Sequence, residues 1–160
     1  MKNDIQFEKN DFVFNYRVAI VIKNDNKILI QRDTRAKHIT LPGGRCELGE
    51  STADTAIREF KEETGIDTEI VKGLGMIENF FTSSFNGKKY HEILMIQEAK
   101  IINNDLYNKD IINNIEEKKK DFLTYEWLET DKLKDNNFKP EIVVDIIKSD
   151  SFIHFINKEY

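Results

Sequence analysis

Three glutamates on one helical turn constrain this chain more than any other feature of it. Ser51 to Thr64 reads as a helix: Ser51 is a good N-cap, Asp54 follows as a weaker capping-box partner, and Gly65 can take the left-handed C′ position. On that helix Glu59, Glu62 and Glu63 stand at i, i+3 and i+4. At about 100° per residue this spacing puts all three carboxylates on one face. Ala53, Ala56, Ile57 and Phe60 recur at helical spacing and form the expected buried stripe, facing elsewhere. Adjacent carboxylates repel one another unless a cation sits among them, and hard oxygen donors at this density suit Mg²⁺ or Mn²⁺. Without a metal, at least one of them should have a raised pKa from its like-charged neighbours. Arg58 can pair with Glu62 or reach back to Glu50 across the helix start. Gly43 and Gly44 let the backbone approach a ligand closely, and a carbonyl there can complete a metal shell. A glutamate-rich helix face is ordinarily just solvated. Here the glycines, the cap and the arginine point to a site.

Gly44, Glu50, Arg58, Glu59, Glu62, Glu63, Gly65 and Ile66 fill the pattern G-x5-E-x7-R-E-U-x-E-E-x-G-U without insertion, where U is a bulky aliphatic residue. Phe60 puts an aromatic at one U position. In these residues the sequence resembles the Nudix hydrolase family. The resemblance continues from the Arg17 strand through Gln31-Arg32 and Leu41-Pro-Gly-Gly44 to Trp127-Leu128, Asp131 and Leu133, about residues 14–148. It implies an α/β fold, an α/β/α sandwich with a mixed β-sheet and a loop–helix–loop motif. It also implies Mg²⁺-dependent cleavage of a phosphoanhydride in a nucleoside diphosphate linked to another moiety, with Mn²⁺ a possible substitute. Carried over residue by residue, Glu59, Glu62, Glu63 and the Gly43 carbonyl would hold the metal. Glu50 and Arg58 would orient the carboxylates, and Glu47 would touch a metal directly or through water. Glu62 is the choice for the carboxylate nearest the attacking water, although family members differ on the base. Glu92 is a second candidate base or extra ligand; its plainer reading is an edge-strand charge facing water.

Phe80, Phe81, Phe85 and Tyr90 flank a turn over Ser83 to Lys89. They read either as core or as a platform for a base, with Phe81 the named candidate. Arg17, Arg32, Arg35, Lys37 and Arg45 can grip phosphates, and Arg45 and Arg17 are the choices. His91 reads as a packed or surface histidine, Cys46 as a small packing residue, and Lys118-Lys-Lys120 as a solvated loop. A sole cysteine excludes an internal disulfide and fits a reducing cytoplasm.

The chain has 160 residues, which suggests one domain over 1–160. Residues 1–13 read as an N-terminal extension and 141–160 as a C-terminal helical segment. Tyr16–Ile22 and Lys27–Arg32 around an Asn/Asp cluster predict a β-hairpin. Leu41-Pro-Gly-Gly44 predicts a turn or loop. Ile66–Phe81, Tyr90–Ile102 and Phe122–Leu128 read as strands, Glu141–Lys148 as a helix, and Ser151–Tyr160 as a helix end or a frayed tail. The net charge of −5 argues against DNA and anionic membranes as partners. No apolar run approaches the roughly 20 residues of a membrane span, and the N-terminus shows no apolar signal region. A homodimer is a possible state: Phe152, Ile153, Phe155 and Ile156 either form an interface or cap the core. Two alternative functions are a nucleotide-binding sensor without turnover and an RNA 5′-end pyrophosphohydrolase. The first would be favoured by a missing carboxylate, and none is missing. The second would want a basic surface.

Overall fold

A computed structural model describes residues 2–102, 104–116 and 120–160. The hydrophobic run at Val18 to Ile22 organises the fold. All five residues are buried, so both faces of their strand must be covered. That strand, β2 (Phe12–Asn24), follows β1 (Gln6–Lys9) through a turn at Asn10 and Asp11, both with positive φ. The two pair antiparallel from Lys9↔Phe12 to Gln6↔Asn15. Part of the expected N-terminal extension is therefore a strand of the sheet. The hairpin from β2 to β3 (Lys27–Asp33) forms as expected, with Asp25 in the left-handed region. Its pairing covers only Lys23↔Ile28 and Asn24↔Lys27. Beyond that tip the strands part, and each takes other partners.

Those partners include two short strands, β4 (Ile39–Thr40) beside β3 and β5 (Gly43–Arg45) beside β2. The glycine pair expected in a turn is thus extended, with Gly43 opposite Ala19 and Gly44 opposite Val18. A Cβ on Gly43 would lie 2.1 Å from the Val18 carbonyl oxygen, so only glycine allows this close approach.

Helix α1 (Thr52–Thr64) begins and ends as its caps dictate. Ser51 Oγ accepts from the Asp54 N–H at 3.1 Å. Gly65, at φ 75°, donates its N–H to the Lys61 carbonyl. One expectation fails here: Ile57 is exposed, and the buried face carries Glu59 and Glu63 beside Ala56 and Phe60. The acidic and apolar stripes share one side because the sheet and a polar cleft both lie there.

Strands β6 (Thr68–Thr82) and β7 (Lys89–Ile101) form a long antiparallel pair. β8 (Ile111–Asn113) and β9 (Leu123–Glu129) follow, then helix α2 (Val143–Lys148) and strand β10 (Ile153–Lys158). The sheet order is β10-β6-β7-β2-β3-β9-β8. It is mixed, because β2 with β7 and β10 with β6 run parallel. The C-terminal segment is helical only to Lys148. Ile153 and Phe155 then pack on the core while His154, Ile156 and Lys158 face out, which is the period of a strand. Ile156 and Phe152 are exposed.

The core lies on both faces. Val18, Ile20 and Ile22 join Leu29, Phe60 and Tyr125 under α1. Ala19 and Val21 join Ile28, Ile30, Ile77 and Ile146 under α2. This is the expected α/β layering of helix, mixed sheet and helix.

Candidate functional site

Because β2 and β3 pair only at their tip, the two halves of the sheet splay and open a cleft of about 770 Å³ between them. β2 contributes Asn15 and Arg17 to its wall, β5 contributes Gly43 to Arg45, and α1 contributes Glu59 and Glu63. Glu92, Phe81 and Tyr90 line it as well.

Arg58 organises the acidic end. Its Nε donates to Glu50 Oε1 at 2.6 Å and its Nη2 to Glu50 Oε2 at 2.9 Å, a two-pronged pair. Nη1 donates to Glu59 Oε1 at 2.9 Å and stands 3.4 Å from Glu62 Oε2. Nη2 also reaches the Arg45 carbonyl at 3.1 Å. Both partners foreseen for Arg58 are thus engaged, Glu50 more closely than Glu62. Glu47 lies 3.8 Å from Arg58, and its N–H donates to Glu50. The Arg58 guanidinium, with the Glu47 N–H and Thr55, holds the Glu50 carboxyl down to about 2 despite some burial. Glu50 in turn raises the Arg58 pKa.

Glu59 and Glu63 are 6% and 4% exposed. Burial pushes Glu63 up to about 7, against the Tyr125 hydroxyl that donates to its Oε2 at 2.8 Å. Burial likewise raises Glu59, against Arg58. The expected raised pKa is present, but desolvation leads and like-charge repulsion is the lesser cause. Two desolvated carboxylates with raised pKa values, one turn apart, fit a divalent cation by the chemistry of their donors. Gly44 leaves the room for them: a Cβ there would lie 2.4 Å from Glu59 Oε2. Among the described residues, no three acidic, histidine or cysteine side chains converge on one point as they stand. Glu59 and Glu62 turn toward Arg58, and Glu63 toward Tyr125.

A second polar chain crosses the sheet. Arg45 Nε donates to Asn15 Oδ1 at 3.0 Å, and Asn15 Nδ2 donates to Glu92 Oε2 at 2.9 Å. Asn79 Nδ2 donates to Glu92 Oε1 at 3.2 Å, and Asn157 Nδ2 donates to Asn79 Oδ1 at 2.8 Å. Glu92 is 5% exposed and sits on the central strand β7, so the edge-strand reading does not apply.

The remaining candidates divide. Phe81 stacks on Tyr90 at 5.1 Å between centroids, at the cleft. Arg35, on the cleft wall, is pinned by Asp33 and lies over the Phe122 ring at 3.5 Å. Phe85 lines the cleft too. Phe80 and His91 pack against each other, and His91 also packs edge-on to Phe14. Arg32 is taken by Glu126. Cys46 is buried, as expected of a packing residue. Lys118 and Lys119 lie outside the described residues, but Lys120 is no bystander: it lies on the cleft wall, 2.7 Å from Glu116. Sequence reading missed Lys2, Asp4, Asn15, Asn79, Glu116 and Lys120. Their polarity within or beside apolar runs was the available signal for the two asparagines; the others carried none.

Comparison with known proteins adds the following. The family model of the NUDIX domain matches residues 13–145. An ADP-ribose pyrophosphatase of Methanocaldococcus jannaschii is 32% identical over 89 residues, 54% of this chain and 50% of that protein. A protein named NAD-capped RNA hydrolase NudC, of Vibrio atlanticus, is 38% identical over 69 residues, 42% of this chain and 26% of that one. The chain spans about a quarter to a half of the length of the curated relatives it matches. Among solved structures, a NUDIX hydrolase from Nitrosomonas europaea superposes with a TM-score of 0.64 at 18% identity, covering 91% of this chain and 79% of that one. That likeness concerns the fold. No helix among the described residues is long and apolar enough to cross a membrane.

Proposed function

This chain belongs to the Nudix hydrolase family, and from that premise we propose that it is a Mg²⁺-dependent pyrophosphohydrolase acting on a nucleoside diphosphate linked to another moiety. The observation that carries the reading is the pair of buried carboxylates Glu59 and Glu63 in a cleft that also presents Arg17 and Arg45. Acidic and basic groups facing one cavity suit a ligand that is itself anionic and arrives with cations.

Glu59, Glu62, Glu63 and the Gly43 carbonyl would hold the divalent cation. When bound, it supplies neutralisation of phosphate charge and polarisation of a phosphoryl oxygen. Arg58 fixes the carboxylates by its bonds to Glu59 and Glu50. Arg45 and Arg17 bind phosphate oxygens. Glu62, the most exposed of the three carboxylates, takes the proton of the attacking water as its oxygen bonds to phosphorus and the anhydride P–O bond breaks. The leaving phosphate carries away the bond's electron pair. Glu92 enters as a positioning residue, because both its oxygens already accept amide hydrogens. Phe81 and Tyr90 offer a stacked aromatic surface to a base. The names of the relatives make ADP-ribose and NAD-capped RNA the first substrates to try.

The test is release of nucleoside monophosphate from a panel of nucleotide derivatives, with Mg²⁺, with Mn²⁺ and with EDTA. Metal-dependent release from one class supports the reading and identifies the second moiety. Nucleotide binding with no release from any class would turn it into a sensor.

A further inference from the structure

The carboxylate cluster is already counter-charged by lysines from two distant parts of the chain. Lys2 Nζ stands 3.3 Å from Glu62 Oε2 and 3.8 Å from Glu116 Oε1. Lys120 Nζ stands 2.7 Å from Glu116 Oε2 and 4.0 Å from Glu63 Oε1. Glu116 thus bridges two ammonium groups, each of which also faces a carboxylate of α1. All three groups sit on backbone that is held. The segment carrying Lys2 is tied across the loop before α1: Leu48 N–H donates to Asn3 O at 3.0 Å, and Ile5 N–H to Cys46 O at 2.9 Å. Asp4 forms an antiparallel bridge with Glu47. The Ile115 N–H donates to the Glu63 carbonyl at 2.8 Å, which ties the Glu116 loop to the end of α1.

We infer that Lys2, with Lys120, is a resident counter-cation of the carboxylate cluster that sets how tightly the cluster binds a divalent cation. The inference rests on the metal site proposed above. An ammonium at this distance neutralises the carboxylates when no metal is present. It repels a divalent cation that arrives among them, since like charges a few ångströms apart interact strongly near a protein surface. Binding must therefore displace Lys2 from Glu62. Lys2 and Lys120 both stand on the cleft wall.

The test is Mn²⁺ binding, measured by titration with electron paramagnetic resonance detection of free Mn²⁺, on wild type, Lys2→Met, Lys2→Arg and Glu62→Gln. Lys2 is exposed enough for the variants to fold. Lys2→Met is expected to bind Mn²⁺ more tightly, on the order of three- to tenfold, and to melt lower than wild type in EDTA. Lys2→Arg keeps the charge and should bind as wild type does. Unchanged or weaker binding in Lys2→Met, with wild type binding normally, overturns the inference alone. Equal binding by wild type and Glu62→Gln would instead overturn the metal site it rests on.

Discussion

At the scale of single residues, Arg58 is the side chain on which the acidic end of the cleft depends. One planar guanidinium meets Glu50 with two bonds, Glu59 with one and the Arg45 carbonyl with another. An ammonium cannot present that fork. Arg58→Lys should therefore lower stability by about 2–3 kcal/mol in urea unfolding and reduce kcat/KM by at least about tenfold. Glu63 gives a prediction in pH. Its folded pKa, about 7, lies above the ordinary 4.5. The folded state then holds more protons than the unfolded one between these values, so stability falls as pH rises. The contribution is complete below 4.5 and gone above 7. In EDTA, wild type should lose stability relative to Glu63→Gln between pH 5 and pH 7, read by urea midpoints. A difference that stays flat across this range would mean that Glu63 is already ionised near pH 5. Glu50 runs the other way: held at about 2, its contribution is full above 4.5 and is lost as pH falls toward 2. The box residues were legible in the sequence because their spacing is local. Lys2 and Glu116 were not, since only the fold brings residues 2 and 116 to the same helix.

At the scale of elements, two neighbouring glycines in β5 do different work. A Cβ at position 43 would strike the Val18 backbone at 2.1 Å, whereas one at position 44 would strike the Glu59 side chain. Gly43→Ala should thus disrupt the β5–β2 pairing and cost more than about 2 kcal/mol of stability. Gly44→Ala should instead push Glu59 aside, with a smaller loss of stability and a clear loss of Mn²⁺ affinity. Thermal melts and Mn²⁺ titration on both variants separate the two effects, and equal losses in both would contradict this division. Helix α1 was readable to the residue because its caps are local signals, Ser51 at one end and Gly65 at the other. Its buried face was misread at Ile57. Hydrophobicity alone does not say that the covered side of a helix also faces a cleft. The strand at Gly43–Arg45 was missed because a glycine pair carries little strand propensity and the strand exists through pairing with β2; that at Ile153–Lys158 carried Ile153, Phe155 and Ile156 in weak alternation, a signal too short to separate a strand from a helix end before its pairing with β6 was seen.

At the scale of the whole molecule, the splayed sheet makes the cleft, and a chain of buried amides crosses the sheet from it. Arg45, Asn15, Glu92, Asn79 and Asn157 link β5, β2, β7, β6 and β10 in spatial order. Asn15→Leu would leave Glu92 and Arg45 each short of a partner. It should raise KM on the order of tenfold with a smaller change in kcat, because Arg45, the arginine proposed to bind phosphate, is loosened while the α1 carboxylates keep their partners. A fall in kcat alone would contradict that role. The layered α/β fold was legible from the hydrophobic pattern and the box together. The cleft was not, because it arises from two strands that pair for only two residues and then diverge. The reaction proposed for this cleft is metal-dependent hydrolysis by the α1 carboxylates. Its most direct test is steady-state turnover of wild type and Glu62→Gln on the best substrate, with saturating Mg²⁺ and with EDTA. EDTA should abolish wild-type turnover, and Glu62→Gln should lower kcat by about 10²-fold or more with KM nearly unchanged. Turnover that persists in EDTA, or a Glu62→Gln kcat close to wild type, would contradict it.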